Sequence, residues 1–512
     1  EEERNAFVLD DDEILTLGRW AVAIEEHYDR PMDMEWAKDG ETDELYVLQA
    51  RPETVRSQAE LAAMHHYELT ESGEVLLEGT AIGDGIARGP VRRVENADSM
   101  ERVEDGDVLV TEMTDPDWVP AMRRASAVVT NSGGRTCHAA IVSRELGIPA
   151  VVGTGDATAT LDDDAEVTVS CAEGDEGRVY DGSLEYEEHE IDLDDVPETR
   201  TAVQMNIASP AAASRWWALP CRGIGLARME FVINNTIAVH PMALIHPDRV
   251  EDEDARARID ELTRGYDDRT EYFVDRLALG IAAIAATRHP DPVVLRTSDF
   301  KSNEYAELIG GEPFEPREAN PMLGVRGASR YGSDRYREGF GLECRAIRRV
   351  REEIGLDNLV VMIPFCRTLG EAERVLEVMA EHGLERGTNG LEIQVMAEIP
   401  SNVILAERFA EHFDGFSIGT NDLTQLVLGV DRDSAELSDV YDERDEAVLR
   451  QVRQLVETAH AADTKVGICG QAPSDHPDFV DFLVDCGIDS ISVDPDSVVD
   501  VTRRVAEAEG GD

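Results

Sequence analysis

From Thr201 to the C-terminus, short apolar runs recur between charged amphipathic stretches, and this alternation restricts more than half of the chain to a few folds. Candidate strands lie at 203–207, 224–227, 293–295, 359–363, 393–397, 416–418 and 466–468. Repeated strand–helix units favour a (β/α)8 barrel or a doubly wound sheet. A further strand near 323–325 brings the count to eight, so the expected fold class is α/β with a C-terminal (β/α)8 barrel over 201–512.

The upstream residues read differently. Residues 1–58 give a helix over 11–28 and then two strands, 33–37 and 45–49, around a polar turn at Asp39-Gly40, the pattern of a β-hairpin. Glu35, Gln49 and Arg51 fall at strand positions where polar side chains could meet a common ligand, or could simply face water. Residues 59–75 read as a helical linker and 76–182 as a domain rich in short strands and glycine turns. The acidic stretch 183–200 reads as a solvated linker.

Within the second of these domains, Gly133-Gly134-Arg135-Thr136-Cys137-His138 joins an apolar strand to a helix. An imidazolium is disfavoured at a helix start, where unpaired N–H groups and the macrodipole present positive charge. An anion is favoured there, so a histidine that accepted a phosphoryl group would place new negative charge where it is solvated. The alternative is a glycine turn with His138 merely opening the helix. The continuation, 143–153, completes the helix, a glycine stop and a proline-led buried strand.

Composition narrows the partners and the compartment. The 107 acidic residues outnumber 48 Lys plus Arg, for a net charge of −59 spread along the chain, which disfavours nucleic acid and anionic membrane as partners. Lys38, Lys301 and Lys465 are the lysines. Self-repulsion on this scale is relieved in molar salt, where the Debye length is about 3 Å, and the expectation is a salt-adapted, halophilic cytoplasmic protein. Seven irregularly spaced cysteines without a CxxC pair suggest neither a disulfide framework nor a zinc knuckle. No apolar run reaches the length of a membrane span. The sequence opens on Glu1-Glu2-Glu3-Arg4, neither a start methionine nor a signal peptide, which suggests that it begins inside a larger protein.

Polar residues follow the candidate strands directly, and in a barrel this gathers them at the C-terminal mouth. Arg228 and Arg296 end two strands, and Arg326 follows 323–325; three guanidiniums there could grip a phosphate and a carboxylate, or neutralise nearby acids. Glu398 and Asp422 each follow a strand and offer hard oxygens suited to Mg²⁺. Cys469 closes the last candidate strand, where a cysteine serves either as a small buried hydrophobe or in general acid or base work.

The residues 133–153 resemble the swivelling phosphohistidine domain of the phosphoenolpyruvate-utilising enzymes. Residues 223–228, Arg296 with Asp299, 320–327, Glu398, 419–425 and Cys469-Gly470 resemble their phosphoenolpyruvate/pyruvate barrel, in the same order. Glu35 with 49–53 is similar to the final part of their ATP-grasp domain. The resemblance implies a swivelling β/β/α carrier domain ahead of the barrel and a remnant of ATP-grasp over 1–58. It implies His138 as phosphoryl carrier, Cys469 as proton donor or acceptor at pyruvate carbon 3, and Glu398 and Asp422 as Mg²⁺ ligands. Arg228, Arg296, Arg326, Asn421, Thr420 and Asp299 become implied substrate contacts, and Glu35, Gln49 and Arg51 implied ATP contacts. Thr136 matches a threonine that a regulatory kinase/phosphatase modifies in some members.

The implied activity is a gluconeogenic phosphotransferase that makes phosphoenolpyruvate from pyruvate, ATP and water, releasing AMP and phosphate through a phosphohistidine and a pyruvate enolate. A homodimer through the barrel is also implied. The ATP site is expected to be incomplete in this sequence alone. A dikinase using phosphate in place of water, an enzyme of the sugar-transport branch, and a non-catalytic docking or regulatory subunit are the alternatives.

Overall fold

The computed structural model describes residues 8–510 apart from 29, 31, 41, 53–62, 84, 95–96, 115–117, 135–136, 174–175, 193–195, 432–436 and 438–439. Two units divide the chain, Glu1–Asp192 and Leu193–Asp512. The first opens with the helix Asp11–Tyr28 and the antiparallel hairpin β1 (Met32–Lys38) and β2 (Leu45–Pro52), in which Glu35 faces Gln49 and Asp33 faces Arg51.

Next come β3 (Ala63–Leu69), β4 (Val75–Ile82), β5 (Ile86–Arg93), β6 (Val108–Thr111), β7 (Ala127–Thr130), β8 (Ala150–Val152), β9 (Glu166–Ser170), β10 (Glu176–Asp181) and β11 (Tyr186–Asp192). Seven of these close into a barrel in the order β10-β4-β8-β7-β6-β5-β9, with β5 to β8 parallel and the rest antiparallel. The apolar runs of β6 and β7 follow from burial on both faces. Val108, Val110, Ala127 and Val129 join one core, while Leu109 and Val128 join another with Ala139, Ala140 and Val142. Those last three belong to the helix His138–Leu146, the crossover between parallel strands β7 and β8. His138 therefore does stand at a helix start.

Two expectations for this unit are corrected. Residues 63–69 are the strand β3 rather than part of a helical linker, and 186–192 within the supposed acidic linker are the strand β11. The two pair antiparallel, with the Tyr67 hydroxyl donating to Glu188 at 2.9 Å and the Tyr67 and Tyr186 rings 6.3 Å apart. A two-stranded ribbon open to solvent carries polar side chains on both faces, so its composition resembles a linker.

The second unit is a closed barrel of eight parallel strands: β12 (Ala202–Ile207), β13 (Ile224–Arg228), β14 (Val293–Arg296), β15 (Leu359–Ile363), β16 (Ile393–Ala397), β17 (Gly415–Ile418), β18 (Lys465–Ile468) and β19 (Ser490–Val493). Each pairs with the next, and β12 pairs with β19 to close the ring. Leu226, Val294, Val360, Met362, Met396 and Cys469 form one apolar cluster drawn from neighbouring strands.

Seven strands fall where the sequence places them, but the eighth does not. Residues 321–323 form a 3-10 turn opened by Pro321, with the Asn320 side chain accepting from the Met322 N–H, and the Val325 N–H donates to the Glu318 carboxylate instead of to a ladder neighbour. The eighth strand is β19, so Cys469 follows the seventh strand rather than the last. No helix among the described residues is long and apolar enough to cross a membrane.

Candidate active site

The polar ends of the barrel strands line one cavity of about 880 Å³. Arg228 ends β13 and Arg296 ends β14; Glu398 follows β16, Asn421 and Asp422 open the helix Thr420–Leu428 after β17, and Cys469 follows β18. Arg326 reaches the cavity from the long connection between β14 and β15. That connection is braced from behind: Arg330, fully buried, holds both oxygens of Glu315 and donates to the Val325 carbonyl at 3.0 Å. Gly327 follows at φ +56°, and a Cβ there would lie 2.4 Å from the Pro364 carbonyl oxygen, so glycine is required directly after Arg326.

Arg326 is the hub of the cavity. It donates to both oxygens of Asp299 at 3.0 and 2.6 Å, to Asp422 at 3.4 and 3.2 Å, and lies 4.0 Å over the Phe365 ring. Burial opposes its charge, but Asp299 and Asp422 more than offset this and raise its pKa. Asp299 is likewise buried, yet Arg326 and Arg296 hold its carboxyl below the usual range. Asp299, an expected substrate contact, lines the cavity with its oxygens engaged by Arg326. Arg228 shows the opposite balance, its pKa lowered by burial and by the neighbouring Arg296. No ion pair is formed by Arg228 among the described residues, so this guanidinium suits an anionic ligand.

Glu398 is buried, and its Oε1 accepts from the Phe365 N–H at 2.6 Å. Burial, then Asp422 and Asp299, push its pKa up to about 8. Carboxylates crowded into one pocket beyond what the arginines neutralise form a donor set that fits a hard divalent cation. No group of three or more His, Cys, Asp or Glu side chains is arranged for a metal among the described residues. Glu398 and Asp422 would thus supply two ligands and leave the remaining positions to substrate and water.

Cys469 is 5% exposed, accepts from the Ser417 hydroxyl at 3.2 Å and donates to the Ile418 carbonyl at 3.7 Å. Burial pushes its thiol up to about 11, against the opposing hydrogen bond from Ser417. Gly470 packs beside Thr420, where a Cβ would lie 1.8 Å from the Thr420 hydroxyl. Thr420 is fully buried, and its neighbours Gly419, Asn421 and Asp422 line the cavity. Asn421 accepts from the Gln471 N–H at 3.3 Å, which ties the ends of β17 and β18 together.

The sequence reading missed Glu230. It lines the cavity, and its Oε1 accepts from Arg296 Nη2 at 3.0 Å and from the Asp299 N–H. Its position two residues after Arg228 was the available signal.

In the other unit, Glu35 and Gln49 face each other across the hairpin, followed by a register shift, while Arg51 pairs with Asp33 at 2.9 Å in an exposed ion pair. The His138 backbone opens its helix and Cys137 N–H donates to the Gly134 carbonyl, but the His138 side chain and all of Arg135 and Thr136 lie outside the described residues.

Residues 185–510 match the model of the PEP-utilising enzyme, PEP-binding domain, and thereby include every cavity residue named above. The chain belongs to the PEP-utilising enzyme family. Residues 103–174 match the mobile domain of these PEP-utilising enzymes, and 1–71 match the AMP/ATP-binding domain of pyruvate phosphate dikinase. Among relatives, a protein of Synechocystis sp. named phosphoenolpyruvate synthase is 54% identical over 516 residues, covering 99% of this chain and 63% of the relative. Similarly named proteins of Deinococcus radiodurans and Escherichia coli are 53% and 52% identical, again covering 99% of this chain and 65% and 64% of theirs. This member of the PEP-utilising family thus spans slightly less than two thirds of the length of those relatives.

Proposed function

We propose that this chain carries the barrel and carrier portions of a phosphoenolpyruvate synthase, which makes phosphoenolpyruvate from pyruvate, ATP and water with release of AMP and phosphate. The observation that carries the reading is one cavity holding a protonated thiol, three arginines and the Glu398/Asp422 pair. The relatives named phosphoenolpyruvate synthase support it over the dikinase and sugar-transport alternatives. The match of 1–71 to an AMP/ATP-binding domain supports Glu35, Gln49 and Arg51 as the closing residues of a nucleotide site. The matches also support a division into a nucleotide-binding segment, a carrier domain and a barrel.

In this reading His138 receives a pyrophosphoryl group at the nucleotide site, loses one phosphate to water, and passes the other to the oxygen of pyruvate enolate in the barrel. Arg228, Arg296 and Arg326 hold the carboxylate and phosphate of the ligand. Glu398 and Asp422 would hold Mg²⁺, which when bound supplies positive charge to stabilise the enolate oxygen. Cys469 handles the proton at carbon 3: its thiol protonates that carbon in the pyruvate-forming direction, and its thiolate removes the proton in the other. Thr136, two residues before His138 and inside the mobile-domain match, is the proposed site of regulatory phosphorylation.

The test is exchange of pyruvate carbon-3 protons with deuterated water, with Mg²⁺ in molar KCl, followed by NMR. Exchange that disappears in Cys469→Ala is the expected result. A folded wild-type chain that binds pyruvate without exchanging these protons would contradict the assignment of Cys469.

A further inference from the structure

Glu230 presents a difficulty for an anion-binding cavity. A buried carboxylate beside Arg296 and Arg228 repels the negatively charged ligand those arginines attract, so on charge alone its removal would tighten binding. The geometry argues the reverse. Glu230 is 8% exposed, and its Oε1 gathers two donors, the Arg296 Nη2 at 3.0 Å and the Asp299 N–H. Asp299 in turn holds Arg326 with both carboxylate oxygens. One acceptor oxygen therefore fixes Arg296 directly and Arg326 through the Asp299 backbone.

Among the described residues, two buried atoms of this pair have no hydrogen-bond partner: Arg296 Nε and Glu230 Oε2. A buried donor and a buried acceptor left unsatisfied cost stability unless something else pairs with them.

We propose that Glu230 is a positioning residue of the anion pocket, holding Arg296 and the Asp299 backbone on one carboxylate oxygen so that the guanidiniums are set before phosphoenolpyruvate arrives. The gain is preorganisation: a guanidinium already fixed loses less freedom on binding. The inference rests on the reading of this cavity as a phosphoenolpyruvate site. It assigns Glu230 no part in proton transfer.

Titration calorimetry with phosphoenolpyruvate, on the whole chain with Mg²⁺ in molar KCl, tests it with Glu230→Gln and Glu230→Met. Glutamine keeps an acceptor oxygen for both donors, whereas methionine keeps the volume without the acceptor. Glu230→Gln is expected to stay within about threefold of wild type, and Glu230→Met to weaken binding by about tenfold or more. If Glu230→Met fails to fold, Glu230→Asp is the substitute: it keeps the charge but is too short to reach both donors, and the same weakening is expected. Binding equal to or tighter than wild type in the variants lacking the reach or the acceptor would overturn the inference while leaving the phosphoenolpyruvate site intact. No binding by the folded wild-type chain would overturn the reading of the site, and the inference with it.

Discussion

At Cys469, burial sets the protonation state, pushing the thiol up to about 11, and so fits the side chain to deliver a proton rather than to attack as a thiolate. Replacing it with serine leaves the volume nearly unchanged but substitutes a far weaker acid, so carbon-3 exchange is expected to fall by about 100-fold or more with little change in melting temperature. At Arg326 the planar fork spans both Asp299 oxygens and Asp422 and lies over the face of Phe365. Lysine cannot reproduce this geometry, so Arg326→Lys is expected to weaken phosphoenolpyruvate binding by about tenfold, as read by calorimetry.

Glu343 gives a pH signature away from the cavity. Its carboxyl accepts from the Ser298 N–H and hydroxyl and from Tyr336, and burial pushes it up to about 7. The folded state therefore binds this proton more tightly than the unfolded state, whose carboxyl titrates near the ordinary value of 4.5. The Glu343 contribution to stability is full below that value and is lost as pH rises towards 7 and above. Denaturant unfolding at pH 6 and pH 8 is expected to show a fall on the order of 1 kcal/mol that Glu343→Gln abolishes.

Among the elements, the sheet ends of β17 and β18 meet most tightly. A Cβ on Gly470 would lie 1.8 Å from the Thr420 hydroxyl and 2.9 Å from its backbone nitrogen, so alanine there must separate the segment bearing Asn421 and Asp422 from the one bearing Cys469. Gly470→Ala is expected to cost about 1–3 kcal/mol of stability in a thermal melt and to suppress carbon-3 exchange far more than that loss implies.

The sequence made the elements legible where local signals suffice. Seven barrel strands are apolar runs of the right length, and Arg228, Arg296, Glu398, Asp422 and Cys469 stood out because each ends one or comes within a few residues after it. The eighth strand, Ser-Ile-Ser-Val at β19, has only two strongly apolar residues and is defined by its partners β12 and β18, whereas Met322-Leu323-Gly324-Val325 reads as more strand-like until Glu318 captures its N–H. The ribbon of β3 and β11 was missed for a related reason: Tyr67 and Glu188 meet across 121 residues of sequence, and no local pattern reports such a pairing. Glu230 escaped because its value lies in what it holds, Arg296 and the Asp299 N–H, and those contacts are tertiary.

For the whole molecule, the net charge of −59 dominates the response to solvent. The screening length falls from about 10 Å at 0.1 M salt to about 3 Å at 1 M, so repulsion among surface carboxylates fades as salt rises. The melting temperature is expected to be higher in 1 M KCl than in 0.1 M KCl, and a flat or falling profile would contradict the salt-adapted reading.

The central claim is that this chain passes a phosphoryl group between a barrel-bound enolate and His138. The most direct measurement is incubation with phosphoenolpyruvate labelled at its phosphate, with Mg²⁺ in molar KCl, followed by chemical-stability tests and peptide mapping. Acid-labile, base-stable label on the peptide carrying His138, absent from His138→Ala, is the expected result. A folded chain that binds phosphoenolpyruvate yet takes up no label, or takes it up equally in His138→Ala, would contradict the claim.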